Sequence, residues 1–460
     1  MPLFAAWYCR RTAANFPSDL LPFYFIIVIN YVNERSVTTG VLKNMTRDDI
    51  VKAAFKVWGR DLYRTTSLSE IARELGVSKP ALYRHFKDKN ALLEVMFTVF
   101  FDDCAAFIKN GHEKAVNTGD KRESYLIWLR TITEYYARNR DFFIFSLVRV
   151  FSTMDRLSLN KEFLDRGIDF GHSALSDRVQ AVYPSKMQLG MATSIFCIGQ
   201  LHRNVLKKGE IPTEEQVKSS VLEVERLVTQ GLCLDAGKLA ALDYQNLEKR
   251  AAGTEYGDAE TNALLKAVAG AVAEAGPWSA SMEMVAKRSG LSKSGLYAHF
   301  KNKQDMLVRL FISEFTTIVK FAKAQVESSD VSEEQLYLTI ISITNYLRSR
   351  PEILVALDWI KSGRLDLGDD VPAYLYREIG TIKFEAIRNY DRNMLVRVAQ
   401  WVIFMIVNTL ALWRRDENAG TGSAKKQNHD ISWARNASEI PNESFRTLFR
   451  FIALGLEGLN

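Results

Sequence analysis

Apolar residues recur along the chain at the spacing of an α-helix. Leu68, Ile71, Ala72 and Leu75 lie at positions i, i+3, i+4 and i+7, which predicts a helix with one buried face. The apolar positions behind this segment keep a helical period and lack the alternation of a β-strand. The pattern therefore predicts an all-α fold.

One part of this pattern occurs twice. Residues 67–97 (copy 1) align without a gap with residues 281–311 (copy 2), and 13 of the 31 aligned positions are identical. The match extends upstream, where an apolar stripe from Ile50 to Trp58 corresponds to one from Leu264 to Val272. Each copy is therefore predicted to begin with an amphipathic helix of about three to four turns.

A tight turn follows the second predicted helix in each copy. Gly76 and Gly290 stand just after that helix, where a glycine supplies the left-handed backbone of a helix–helix turn. Ser78 and Ser292 are in position to cap the next helix by accepting a bond from a free N–H. That helix is predicted to be short, about two turns, and Pro80 fits its first turn. A helix, a glycine turn and a short second helix are typical of a helix-turn-helix motif.

Positive charge is concentrated on this motif. Residues 73–89 carry a net charge of +3 and residues 287–303 carry +5, which together exceed the +6 of the whole chain. The remainder of the chain is therefore slightly acidic. A basic surface localised on a short exposed helix is typical of a protein that binds double-stranded DNA.

The exposed positions of the short helix are the candidate DNA contacts. Phosphate is favoured by helix N-termini, by the serines and lysines beside them, and by tyrosine hydroxyls. Arg84 can pair with guanine, whereas Ala298 offers only a methyl contact to thymine, so we expect two unlike half-sites. His85 and His299 have core-side hydrogen bonding as an alternative role. The candidate residues are Ser78, Lys79, Pro80, Ala81, Tyr83, Arg84, His85, Lys89, Ser292, Lys293, Ser294, Gly295, Tyr297, Ala298, His299 and Lys303.

These residues resemble the DNA-binding motif of the tetracycline-repressor (TetR-type) family of bacterial regulators. The resemblance implies an all-helical subunit of about 200 residues, with the DNA-binding domain first and a helical ligand domain behind it. It also implies a homodimer that releases DNA when a small apolar effector binds. Copy 2 departs from the family pattern at Ser289 and Gly295. The motif reads Gly76-Val77-Ser78-Lys79 with Leu82-Tyr83-x-His85-Phe86-x-x-Lys89, and Gly290-Leu291-Ser292-Lys293 with Leu296-Tyr297-x-His299-Phe300-x-x-Lys303.

The spacing of the copies predicts two tandem TetR-like units in one chain. Each unit ends in a pair of long apolar helices, at 186–207 with 213–233 and at 393–415 with 441–458. Such pairs form a four-helix dimer interface in the resembled family, which favours an intrachain pseudo-dimer and leaves a swapped homodimer as the alternative. The predicted segments are an N-terminal extension (1–44), a first helix-turn-helix domain (45–105, motif 68–87), a first regulatory domain (106–250), a linker (251–258), a second helix-turn-helix domain (259–319, motif 282–301) and a second regulatory domain (320–460).

The N-terminal extension contains an apolar run, Leu20–Val32. The run is too short to span a membrane, Pro22 interrupts it, and no small-residue cleavage site follows it. An upstream-extended gene start, with Met45 as the natural first residue, is the preferred interpretation, and a membrane-tethered regulator is the alternative. A mobile loop is predicted at 420–431.

The cysteines give no sign of a metal or redox site. No two cysteines stand two or three residues apart, which is the spacing typical of zinc and redox motifs; the four are Cys9, Cys104, Cys197 and Cys233. We therefore expect no metal and no cofactor. A reduced bacterial cytoplasm, at the nucleoid and without membrane association, is the expected location.

The patterns distinguish three classes of function. A ligand-responsive transcription regulator, expected to be a repressor, fits best, and a structural bridging DNA-binding protein without an effector is the alternative. No enzyme is expected, because no paired carboxylates, nucleophile–base set or phosphate-binding glycine loop stands out. The aromatic stretches around Tyr135-Tyr136 and Phe142-Phe143 have two possible roles, an effector pocket or packed core, and packed core is the commoner one.

Overall fold

The fold is all-α over the part of the chain that can be described. The structure, a computed structural model, describes residues 45–60, 66–151, 154, 156–169, 184–206, 210–252, 263–361, 379, 382, 384–385, 392–417, 434 and 436–459. These residues contain helices, turns and no β-strand, which confirms the predicted fold class. The N-terminal extension 1–44, the predicted loop 420–431 and residues 253–258 of the predicted linker lie outside the described residues.

The described residues of each half lie mainly in α-helices. The described α-helices of the first half are α1 Arg47–Arg60, α2 Leu68–Leu75, α3 Lys79–Tyr83, α4 Lys89–Asn117, α5 Lys121–Arg138, α6 Arg140–Phe145, α7 Arg156–Leu164, α8 Lys186–Gln200, α9 Glu214–Gln230, α10 Ala236–Ala240 and α11 Tyr244–Ala252. Those of the second half are α12 Ala263–Ser279, α13 Met282–Ser289, α14 Lys293–His299, α15 Lys303–Glu327, α16 Ser332–Arg348, α17 Pro351–Lys361, α18 Arg392–Glu417 and α19 Asn442–Leu454.

The helix after each motif is long and continuous. Helix α4 runs through the predicted domain boundary at 105/106, and α15 runs through the one at 319/320. Side-chain caps start both helices, because Asp88 accepts hydrogen bonds from the N–H groups of Asn90 and Ala91, and Asn302 accepts one from Asp305. One rigid helix therefore connects each motif with the helical bundle behind it.

The core of the first half is rich in packed aromatic rings. Phe55 of α1 makes edge-to-face contacts with Phe142 and Phe145 of α6, at centroid distances of 4.9 and 5.1 Å. Tyr135 and Tyr136 are buried in the same region. These stretches therefore form packed core, and the core joins the first helix of copy 1 to α6.

His202 lies in this half, in the π-helical turn Leu201–Val205 that extends α8. Its ring packs on Phe143 at 5.6 Å, and its Nε2 lies 2.9 Å from the Tyr136 carbonyl oxygen. Burial lowers the pKa of His202 to about 4. The folded protein therefore holds this imidazole neutral over a pH range in which an unfolded chain would protonate it.

We expect His202 to make stability depend on pH between about 6.5 and 4. The unfolded chain binds the extra proton in this window, so the stabilisation is complete above pH 6.5 and is lost as the pH falls towards 4. The largest possible loss is about 3 kcal/mol. Urea unfolding of the wild type and of His202→Gln, at pH 7 and pH 5, measures it. An equal loss in both proteins would contradict this role for His202.

The two halves contact each other through their last long helices. The rings of Phe196 on α8 and Phe404 on α18 lie 5.6 Å apart, and the Trp401 Nε1 donates to Thr193 Oγ1 at 3.4 Å. The 3-10 turn Gly455–Leu459, which follows α19, also packs on α9. Four helices, two from each half, therefore meet within one chain.

Two glycines mark a close crossing in this contact. Gly231, after α9, and Gly455, after α19, have φ angles of +57° and +65°. A Cβ on Gly231 would lie 2.4 Å from the Ile452 carbonyl oxygen, and one on Gly455 would lie 2.5 Å from the Val228 carbonyl oxygen. Residues 228 and 452 are both three positions before their glycine, so the two halves are related here by a pseudo-twofold axis.

The segment after α9 docks on the second half. Leu234 N–H donates to the Ala453 carbonyl at 3.1 Å, and the Glu248 carboxylate accepts hydrogen bonds from Tyr337 Oη at 2.6 Å and Arg446 Nε at 2.9 Å. These residues belong to the predicted first regulatory domain, and their polar and aromatic partners lie on α16 and α19. Ala251 and Ala252 of the predicted linker close helix α11.

One described helix is apolar enough to cross a membrane by length and composition. It covers Asn393–Ala411, and 56% of it is buried inside the protein. Trp401, Met405 and Ile406 are among its buried residues. The helix thus contributes to the core between the two halves.

Candidate nucleic-acid interface

The two motifs have the helix–turn–helix geometry that the sequence predicts. Gly76 and Gly290 adopt φ angles of +66° and +71° at the ends of α2 and α13, in the left-handed region that favours glycine. Leu82 and Leu296 are fully buried and fix the short helices α3 and α14 to the core. Helix α3 ends at Tyr83, earlier than the predicted two turns, whereas α14 continues to His299.

The remaining side chains of α3 and α14 face outward. Tyr83 and Tyr297 are 47% and 49% exposed. Of the predicted contacts, the exposed ones are Ser78, Lys79, Pro80, Tyr83, Arg84, Lys89, Ser292, Lys293, Ser294, Tyr297, Ala298 and His299, and the half-buried ones are Ala81, His85, Gly295 and Lys303. The polar face of each short helix can therefore approach a large ligand.

The serines before the short helices differ in what their hydroxyls do. Ser292 Oγ accepts a hydrogen bond from the Gly295 N–H at 3.0 Å, as predicted for a cap. Ser78 makes no side-chain cap, so that part of the prediction is wrong for copy 1. The reason is that Pro80 has no N–H to give, and the Ala81 N–H donates instead to the Ser78 carbonyl at 2.9 Å. The Ser78 hydroxyl is therefore not used to cap α3.

This difference predicts unequal effects of removing the two hydroxyls. Ser292→Ala should destabilise α14 by about 1 kcal/mol, and amide exchange there should become roughly fivefold faster. Ser78→Ala is the matched control and should leave exchange in α3 nearly unchanged. Hydrogen–deuterium exchange with mass spectrometry measures both helices, and equal acceleration in the two variants would contradict the assignment of the cap.

Acidic side chains behind the motifs are held by neighbouring cations. Glu74 pairs with Arg60 at 2.5 Å and with Lys56 at 3.4 Å. The hydrogen bond from Arg60, with Lys56 nearby, lowers the pKa of Glu74. In copy 2, Arg288 pairs with Glu274. Glu274 therefore partly neutralises the charge of Arg288, which is one of the five positive charges counted in residues 287–303.

The cationic and phenolic groups at the front of the motifs lie near helix N-termini. The Lys79 Nζ lies 5.9 Å from the centroid of the Tyr83 ring. Lys89 and Lys303 are the first residues of α4 and α15, whose N-terminal dipoles favour anions. Each motif therefore presents N–H dipoles, ammonium groups and a phenol to an incoming anion. This arrangement suits the phosphate backbone of a duplex.

The described residues offer no site for a metal ion. No group of three or more His, Cys, Asp or Glu side chains that could hold a metal occurs among the described residues. The cysteines within it are free, with Cys104 and Cys197 buried and Cys233 exposed.

Comparison with known proteins identifies the two motifs. The family model of "Bacterial regulatory proteins, tetR family" matches the chain twice, over residues 50–96 and 264–310. The uncharacterized HTH-type transcriptional regulator YuxN of Bacillus subtilis is 34% identical over 94 residues, which are 20% of this chain and 31% of that protein. Another B. subtilis regulator, YerO, is 40% identical over 50 residues, which are 11% of this chain and 17% of that protein. The chain thus spans less than a third of the length of each relative. The two matches to the family model confirm the predicted tandem units.

A solved structure, the transcriptional regulator FadR from B. subtilis in complex with stearoyl-CoA, matches 42% of this chain and 97% of its own. The identity is 16% and the TM-score is 0.30, which is too low to support a detailed comparison.

Proposed function

We propose that this chain, whose two tandem helix-turn-helix units match the TetR family model, is a sequence-specific repressor whose operator has two unlike half-sites. The observation that carries the proposal is the exposure of the polar faces of α3 and α14 in both units. A domain that bound no DNA would have no need of two separate basic faces backed by buried leucines. We place this activity in the bacterial cytoplasm, at the nucleoid.

The unlike half-sites follow from residues at equivalent exposed positions. Arg84 presents a guanidinium that can bind guanine O6 and N7, and Ala298 at the equivalent position presents only a methyl group. Pro80 and Ala81 of α3 are likewise replaced by Ser294 and Gly295 in α14. The two helices therefore offer different chemistry to base edges.

Selection of binding sites from random DNA tests this reading directly. We expect an asymmetric operator, with guanine contacted in only one half-site. Recovery of a perfect palindrome would contradict it.

We further propose that the two motifs of one chain act as a pair on one operator. The contacts of α8 and α9 with α18 and α19 support pairing in cis, and so does the docking of α11 on the second half. An intrachain pair would present its recognition helices about 34–36 Å apart, in successive major grooves. Native mass spectrometry of the operator complex should give one 52.3-kDa chain per site. Two chains per site would indicate the swapped homodimer.

Release from DNA by a small apolar effector is the regulatory part of the proposal. It is supported by the helical bundle that α4 and α15 connect to each motif. Thermal-shift measurements against a library of apolar metabolites test it. If no compound of that library changed the melting temperature, the result would instead favour a protein that bridges DNA without an effector.

Lys89→Ala should weaken binding to every DNA sequence by a similar factor. Lys89 is exposed at the start of α4, where its ammonium can neutralise one phosphate. Loss of that contact should reduce the slope of log K against log salt concentration by about one. Fluorescence anisotropy across a salt series, on operator and on random duplex, measures the slope. A changed sequence preference with an unchanged slope would exclude the phosphate role.

A further inference from the structure

A cleft of about 900 Å³ opens between the two halves. Helices α8 and α9 and the π-helical turn after α8 line it from the first half, and α18 lines it from the second. Its volume is in the range of small-molecule sites. Its lining exposes more apolar than polar surface, and the polar groups that matter for its chemistry are Gln200, Glu215, Glu223, Asn393, Arg397 and Gln400.

Polar contacts in the cleft join one half to the other. Glu223 of α9 forms an ion pair with Arg397 of α18, and Gln200 Nε2 donates to Gln400 Oε1 at 3.3 Å. The side chains of Glu223 and Arg397 are 28% and 39% exposed, so both reach solvent in the cleft. An anionic and a cationic group therefore stand side by side at an accessible position.

The pseudo-twofold axis has no second copy of this arrangement. Counting residues along the sequence from Phe196 and Phe404, and from Gly231 and Gly455, places Leu189 at the position equivalent to Arg397 and Thr447 at the one equivalent to Glu223. Leu189 and Thr447 are 1% and 3% exposed, so that side of the interface is closed. The charged cleft is thus an asymmetric addition that the packing of the four helices does not require.

We propose that this cleft binds one small zwitterion per chain, a molecule of the amino-acid type. Its carboxylate would pair with the Arg397 guanidinium and its ammonium group with the Glu223 carboxylate, with side-chain amides binding the remainder. An apolar ligand would cover the Glu223–Arg397 pair and remove its contact with solvent while offering it no hydrogen bond. A ligand with only a negative charge would be repelled by the carboxylates of Glu215 and Glu223. A ligand with only a positive charge would be repelled by the Arg397 guanidinium.

Binding of the ligand would affect DNA binding, because the ligand would contact both halves of the chain. Helix α18 packs on α17, and α17 packs on α12, the first helix of the second DNA-binding unit. Occupation of the cleft should therefore alter how the second motif is held relative to the first. This consequence rests on the proposed function, whereas occupation of the cleft does not.

Calorimetric titration of the full chain without DNA tests the site. The probes are glutamine, serine and leucine, each with its decarboxylated amine and its deaminated carboxylic acid, up to roughly 10 mM, and decanol serves as an apolar probe. We expect at least one amino acid to bind with a stoichiometry of one and both of its singly charged analogues to bind at least tenfold more weakly.

Variants locate the binding. Arg397→Gln and Glu223→Gln should each weaken it by about tenfold to a hundredfold. The double variant Glu223→Thr with Arg397→Leu introduces the residues found at the equivalent positions on the closed side, and it should abolish binding of the amino acid. Arg130→Gln removes a comparable ion pair, with Glu225 at 2.5 Å outside the cleft, and should leave it unchanged.

Three results would overturn the proposal: no amino acid binds, a singly charged analogue or decanol binds as well as its amino acid, or Arg397→Gln binds normally. Because DNA is absent from the titration, failure of the site and failure of the proposed DNA-binding function are separate outcomes.

Discussion

Gly455→Ala should lower the free energy of unfolding by roughly 3–5 kcal/mol. The new Cβ would lie 2.4 Å from the Thr229 carbonyl carbon and 2.5 Å from the Gln230 nitrogen. These are backbone atoms, which cannot rotate away as a side chain does. The φ of +65° adds conformational strain.

Gly119→Ala is the matched control for the strain alone. Gly119 has a φ of +68°, and a Cβ built there meets no atom within 4 Å. Gly119→Ala should therefore lower the free energy of unfolding by about 1–2 kcal/mol. Urea unfolding followed by circular dichroism measures both variants. Equal losses would mean that the crossing of α9 and α19 does not hold the halves together as the structure indicates.

Arg84→Ala should weaken binding to the selected operator by about 1–3 kcal/mol and make its two half-sites more alike. The variant gives α3 the residue that α14 carries at Ala298. Since Arg84 is exposed and no ion pair of the described residues holds it, loss of fold stability should be small. Repeating the selection from random DNA should show that the guanine preference has disappeared from one half-site only.

The reciprocal change, Ala298→Arg, completes the experiment. It should create a guanine preference in the other half-site while leaving the first intact. If Arg84→Ala weakened binding equally to all sequences, Arg84 would be a phosphate contact and the proposed reading of bases by α3 would fail.

Much of the DNA-binding unit could be predicted because its determinants are local. A glycine after a periodic apolar run fixes the turn at Gly76 and Gly290, and the spacing of Leu82 to Phe86 fixes which face of the short helix is buried. These features depend on residues within about one helical turn of each other. The repetition of the motif then distinguished it from an ordinary helical hairpin.

The parts that could not be predicted depend on contacts between distant residues. The Ser78 hydroxyl failed to cap because Pro80 removed one donor and the backbone took the other, which required knowledge of the actual hydrogen bonds. The pairing of Arg288 with Glu274 on the preceding helix reduces a charge that the sequence count treated as available. The asymmetric cleft depends on Glu223 and Arg397, which are 174 residues apart.

The joining of the two halves within one chain has a consequence for how the protein responds to its own abundance. Ordinary two-subunit repressors fall apart on dilution, so their operator occupancy rises steeply with concentration. When the two halves pair in cis, as proposed, the surfaces around Phe196 and Phe404 belong to one chain and do not separate on dilution. Occupancy should then follow the first power of protein concentration, and a mutation in one motif is never duplicated in the other, so each half-site is free to diverge alone.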